Sequence, residues 1–168
     1  MAATFNWAQT YGSWPGTATD LGSSGNLFNF KTADDATAAN YSSNPITAGN
    51  NSYEVWLRMH FTGTFNKIDN LQFWMSTDFS PNTGLTVKWN GNNSGSYATP
   101  VTSSSSVATT TIPTSDPGTA NVSIATSLSG NLSAAGYSDY IVLQLQTTVS
   151  AAAGDTSLAT FTCQYDEQ

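Results

Sequence analysis

From Tyr53 to Phe61 the chain reads YEVWLRMHF, and the alternation in this stretch constrains the fold more than any other feature. Successive side chains of a strand point to opposite faces. Tyr53, Val55, Leu57, Met59 and Phe61 therefore share one face, and Glu54, Trp56, Arg58 and His60 the other. A helix would scatter the same residues around its circumference. The period of two returns in IDNLQFWM (Ile68–Met75), LTVKW (Leu85–Trp89) and YIVLQLQTT (Tyr140–Thr148). In the last of these Ile141, Leu143 and Leu145 are expected to face inward, and Gln144 and Gln146 to face solvent or another protein. Thr4–Gln9, Leu27–Lys31, Val107–Ile112, Ala120–Ala125 and Leu158–Tyr165 are further strand candidates. Gly, Pro and Ser/Thr/Asn clusters interrupt the chain too often for an amphipathic helix of several turns.

Gly63 and Asn66 favour a turn that makes Ile68–Met75 the antiparallel partner of Tyr53–Phe61, and Asn90–Gly95 reads as another turn. The expectation is an all-β chain: a single domain over residues 1–168, folded as an antiparallel β-sandwich of about eight or nine strands with a jelly-roll path. Tyr11–Asn26 and Ala33–Asn51 are less regular. Residues 1–26 read either as an N-terminal arm or extended loop region, or as a segment in which Phe5 and Trp7 begin the first core strand.

A chain of 168 residues is long enough to build a core without disulfides or metals. Five Trp, eight Phe and seven Tyr supply much of the apolar area, and each fully buried large side chain contributes about 1.5–3 kcal/mol. The four basic residues, Lys31, Arg58, Lys67 and Lys88, are scattered in a chain of net charge −7. Nucleic acid is thereby disfavoured as a partner, since phosphate binding needs clustered cations. Cys163 stands alone, so no intrachain disulfide forms, and it reads as a small buried residue of a late strand. The start of the chain lacks the basic and apolar regions of a signal peptide, and no apolar run spans a bilayer. The expectation is a soluble chain made in a cytoplasm, with no membrane partner.

Candidate chemistry is sparse. His60 lies within a strand pattern and has no second histidine with which to build a zinc site. Asp34-Asp35 and Asp166-Glu167 are adjacent pairs, and neighbours in a strand point apart, so neither pair makes the opposed carboxylates of a glycosidase. The remaining aspartates sit near turns, and no contiguous calcium loop gathers them. No catalytic residue, metal ligand or cofactor site is expected. The tryptophans carry more promise. Trp56 and Trp74 fall on the polar faces of their strands, where they are either buried under a loop, part of a protein interface or a platform for sugar stacking. Phe5, Trp7, Tyr11 and Trp14 place aromatics beside small and turn-forming residues near the N-terminus. These six are the candidate assembly contacts.

The run AGNNSYEVWLRMHFTGTFNKIDNLQFW (Ala48–Trp74) resembles a recurring block of tailed-bacteriophage virion proteins. An Ala-Gly-X-Asn-Ser-aromatic-Glu segment leads into a strand, followed by a Phe-X-Lys/Glu-Ile-X-Asn connection. TIPTSDPG, LSAAGYSDYIVLQLQTT and the ending FTCQYDEQ are similar to the later parts of such proteins. Within that class the chain looks most like capsid decoration, or cement, proteins. The resemblance implies a non-enzymatic role on the outer capsid surface, with the major capsid protein as partner, a trimeric homo-oligomer and synthesis in a bacterial host. The alternative it leaves open is a tail, baseplate or head-fibre component, including a glycan-binding adhesin. It transfers no individual binding residue.

Overall fold

The computed structural model describes residues 2–93, 96–152 and 154–168. Nine strands and a short 3-10 turn (Ala38–Ser43) are formed among them. In chain order the strands are β1 (Ala3–Tyr11), β2 (Thr17–Gly22), β3 (Val55–Gly63), β4 (Ile68–Thr77), β5 (Leu85–Asn93), β6 (Thr110–Thr111), β7 (Gly136–Tyr137), β8 (Tyr140–Thr147) and β9 (Thr160–Glu167). Every ladder is antiparallel. One seven-stranded sheet runs β2-β1-β3-β8-β5-β6 with β7 added beside β3, and a two-stranded sheet of β4 and β9 packs against it. The all-β sandwich stands, divided unequally between its two layers.

The inward set of β3, Val55, Leu57, Met59 and Phe61, meets Leu71, Phe73 and Met75 of β4 and Ile141, Leu143 and Leu145 of β8 in one buried cluster. Leu57, Phe61, Phe73, Ile141 and Leu143 are each fully buried, where each contributes about 1.5–3 kcal/mol. The opposite face of β3 is covered as well. Trp56 packs edge-on against Tyr97 and Tyr140, at 5.3 Å between ring centres in both cases, and Val142 and Ala108 complete this second cluster. Buried on two faces and paired with β1 and β8 on two edges, β3 is the central strand of the molecule.

Several expectations change. β4 is not the hairpin partner of β3; the Thr62–Lys67 connection crosses to the other layer, where β4 pairs with β9. Val107–Ile112 contributes only the two residues of β6. Ala120–Ala125 forms no strand, yet it finishes the free edge of β4. Asn121 and Val122 N–H both donate to Leu71 O, while the Asn121 side-chain amide exchanges two hydrogen bonds with the backbone of Phe73. A side-chain amide carries the same donor and acceptor as a peptide group, so it continues the ladder without a strand. Gln144 does not face solvent. Its Oε1 accepts from Ser105 N–H, and its Nε2 donates to Ser52, Val101 and Ser103 carbonyls beneath the loop that covers it. The turn expected over Asn90–Gly95 ends in Ser94 and Gly95, which lie outside the described residues.

Candidate functional site

The six aromatic candidates divide by position. Phe5 and Trp7 belong to β1, which is paired along its length with β3, and Phe5 packs against Trp7, Phe61 and Tyr165. Residues 3–22 are therefore a β-hairpin built into the large sheet. Trp56 is 1% exposed, its indole N–H donating to Glu54 Oε2 at 3.1 Å. Trp74 is half-buried on the outer face of the small sheet, opposite Thr162. Trp56 and Trp74 lie in different sheets, so they form no joint platform on neighbouring strands. Tyr11 closes β1, with its hydroxyl 3.4 Å from Thr19 Oγ1.

Trp14 differs from the other five: it is 68% exposed at the tip of the β1–β2 hairpin. The tip is held firmly beneath it. Tyr97 O–H donates to Gly12 O at 2.5 Å, Gly12 N–H donates to Asp34 Oδ2, and Trp14 N–H donates to Thr99 Oγ1. Gly16 has φ of +80°, and a Cβ there would lie 2.5 Å from the Tyr97 ring. The turn thus requires glycine for both its handedness and its close approach. Burial raises the pKa of the Tyr97 hydroxyl above the usual tyrosine range, and the nearby Asp34, Tyr140 and Glu54 add to the rise, so it stays protonated and able to donate.

The strand registers place Trp14 at one particular end of the sandwich. Thr10 lies opposite Trp56, Val55 opposite Leu143, Leu85 opposite Thr147 and Thr77 opposite Thr160. The hairpin tip therefore shares an end with the starts of β5 and β9 and the finish of β8. At that end the two layers separate around a groove of about 970 Å³. Its walls are aromatic: Phe161 stacks on Phe73 (5.8 Å, 8° between planes) and meets Phe28 at 5.3 Å, while Phe30 meets Phe79 at 6.2 Å. Asp155 is the one charged side chain among the described lining residues. Tyr41 and Leu158, both lining the groove, are exposed at 40% and 66%. Val149, between the lining residues Thr147 and Ala151, is 90% exposed.

A buried lysine shapes the loop that bears Tyr41. Lys31 Nζ donates to Asp35 Oδ1, Thr37 O and Asn40 Oδ1 at 2.6–2.7 Å, and Asn40 Nδ2 donates to Asp35 Oδ2. Burial raises the Asp35 pKa, but the hydrogen bonds from Lys31, Asn40 and Thr37 outweigh it and lower the carboxyl from 3.8 to about 2. All three donors of an otherwise costly buried ammonium are satisfied locally, so the cluster acts as a pin for residues 31–44.

Elsewhere, the ionisable groups suit structural roles. His60 stacks on Tyr137 at 4.0 Å, with Nδ1 3.0 Å from Asp20 Oδ1. Cys163 is half-buried, and burial pushes its thiol up to about 11, which leaves it protonated and a poor nucleophile near neutral pH.

Of the groove residues, Phe28 and Phe30 carried a sequence signal through the strand pattern of Leu27–Lys31. Leu158 opened the strand candidate Leu158–Tyr165 but lies just before β9, which starts at Thr160, while Tyr41 and Val149 are single apolar residues in polar loops that no periodicity marked. Compared with known protein families, with curated proteins and with solved structures, the chain matches none.

Proposed function

We propose that this chain is a non-enzymatic structural protein of a tailed-bacteriophage virion: a capsid decoration protein that docks on the outer capsid surface against the major capsid protein and stabilises the shell. The observation that carries this reading is the aromatic groove, with Tyr41 and Leu158 exposed on its lining, at the same end of the sandwich as the exposed Trp14 and Val149. An apolar groove with exposed apolar residues on its lining is a feature that suits a protein contact. Tryptophan and tyrosine also dominate interface energetics, because they combine large area with few rotatable bonds.

The rest of the molecule fits this use. A surface poor in charge docks with little desolvation, and the net charge of −7 suits the outside of a shell better than its DNA-facing side. The resemblance of Ala48–Trp74 to virion proteins points the same way. The decoration reading carries with it a jelly-roll path and a trimer, in which three copies of a modest contact gain avidity. By binding assembled shell better than free subunits, each copy shifts the equilibrium toward the intact lattice.

Cryo-electron microscopy of particles carrying this chain tests the proposal. The expected result is density in knobs that bridge major capsid subunits, with the Trp14 end facing the shell. Density confined to the tail, baseplate or head fibres would overturn it and favour a role in tail assembly or host-glycan attachment.

A further inference from the structure

Leu27–Lys31 has a strand's sequence and a strand's place against the core, but it lacks a strand's partner. Leu27, Phe28 and Phe30 pack on the main cluster. Phe28 and Phe30, two residues apart, both reach Phe161, the same-side spacing of an extended chain. Lys31 O accepts from Tyr53 N–H, but among the described residues the backbone groups of Leu27, Phe28, Asn29 and Phe30 make no hydrogen bond. All four residues are half-buried. β9 brings Thr160 and Phe161 into the same groove, and among the described residues it pairs as a strand with β4 alone, which leaves its outer edge without a strand.

A row of unpaired peptide groups beside an apolar channel is a template for another strand. We infer that the groove receives an extended segment of a different protein chain, which adds as a strand beside Leu27–Phe30 and sends alternate apolar side chains among Phe28, Phe79 and Phe161. This is β-strand addition, in which main-chain hydrogen bonds supply affinity and side-chain pockets supply selectivity. A hydrocarbon ligand would fill the aromatic space and leave the backbone groups dry. A second copy would bring its own net charge of −7 to a groove that already holds Asp155, which opposes its entry. With Asp155 the one charged side chain among the described lining residues of an acidic chain, the incoming segment is uncharged or weakly basic. The identification of its source as the capsid subunit rests on the reading above; the groove's selection of a strand does not.

The full chain, immobilised and panned against a displayed library of random linear peptides, tests the inference. Peptides that alternate apolar and polar residues and lack acidic ones are expected to be enriched. Ala48→Trp, placed at an exposed lining position so that folding is undisturbed, fills the groove and weakens their binding about tenfold or more; methylating alternate backbone nitrogens of a selected peptide does the same. Failure to enrich peptides above a control β-sandwich, equal binding by A48W, or undiminished binding of methylated peptides would each overturn it. Co-sedimentation with purified capsids reads the functional proposal separately. A wild-type chain that binds peptides and ignores shells removes the capsid assignment alone, whereas shell binding unimpaired in A48W removes the groove as the capsid's receptor.

Discussion

Val55–Gly63 and Leu27–Lys31 begin from similar sequence and end in different states. The first has β1 on one edge and β8 on the other, with side chains buried on both faces. In the second, Leu27–Phe30 are half-buried and, among the described residues, their backbone groups lie unpaired against a groove. Alternation fits a segment for a sheet, but membership is decided by whether a neighbouring edge exists. The central strand is complete within the single chain, and the lateral one is left open, as the proposed strand addition requires.

Truncation in the two regions separates them most sharply. Phe61→Ala, at a fully buried position of β3, is expected to cost about 3–5 kcal/mol through lost burial and the cavity left behind. Phe28→Ala, at a half-buried position on the open groove, should cost less, about 1–2.5 kcal/mol, because burial is incomplete and no closed cavity is left behind. Urea unfolding curves of the two variants measure the gap, and equal losses would erase the distinction.

A subtler cut on the outer face of β3 is Trp56→Phe, which keeps an aromatic ring but removes the donor to the buried Glu54 carboxylate. The expected loss is about 1–3 kcal/mol, the cost of an orphaned buried acceptor. Trp56→Phe combined with Glu54→Gln should recover part of it, since the unpaired group is then no longer charged.

On the lateral side the Lys31 pin gives stability a pH dependence. Asp35 has a folded-state pKa depressed from 3.8 to about 2, so its contribution is present above the unfolded value and is lost as pH falls from about 4 toward 2. The carboxylate is partly open to solvent, which holds the effect under about 1 kcal/mol. Asp35→Asn should be less stable than wild type at pH 6 and converge with it at the acid end. A constant difference across that window would place the stabilisation elsewhere. The smallest effect on folding is expected at Trp14→Ala, within about 0.5 kcal/mol at an exposed tip, accompanied by a loss of shell affinity of about tenfold or more if Trp14 anchors the contact.

Strands with one clearly apolar face were legible in the sequence, because burial imposes the period of two directly: β3, β4, β5, β8 and β9 fall where alternation places them. β2 was not, since TATDLG is an exposed edge that buries no continuous face and so bears no pattern. Pairing was less legible than position. Gly63 and Asn66 permit a hairpin and equally permit a crossing between layers, and the choice is made by distant β9 and by Asn121. Gln144 reads as surface in its own strand and becomes interior only because residues 101–105 fold over it. At the candidate site, Trp14 could be singled out as an aromatic in a turn and Leu158 as the start of a strand pattern, while Tyr41 and Val149 gain meaning only from the fold of their loops. Phe5, Trp7 and Trp56 look alike as candidates in the sequence, yet the monomer uses all three in its own packing.

The most direct test is residue-resolved amide hydrogen exchange of the free chain and of the chain bound to purified capsids. In the free chain the central β3 amides should exchange on the scale of global unfolding, while those of Leu27, Phe28, Asn29 and Phe30 exchange rapidly. On capsids the latter four should become protected, with β3 unchanged. Slow exchange at Leu27–Phe30 in the free chain, or no added protection on capsids, would contradict the account of a strand completed by its partner.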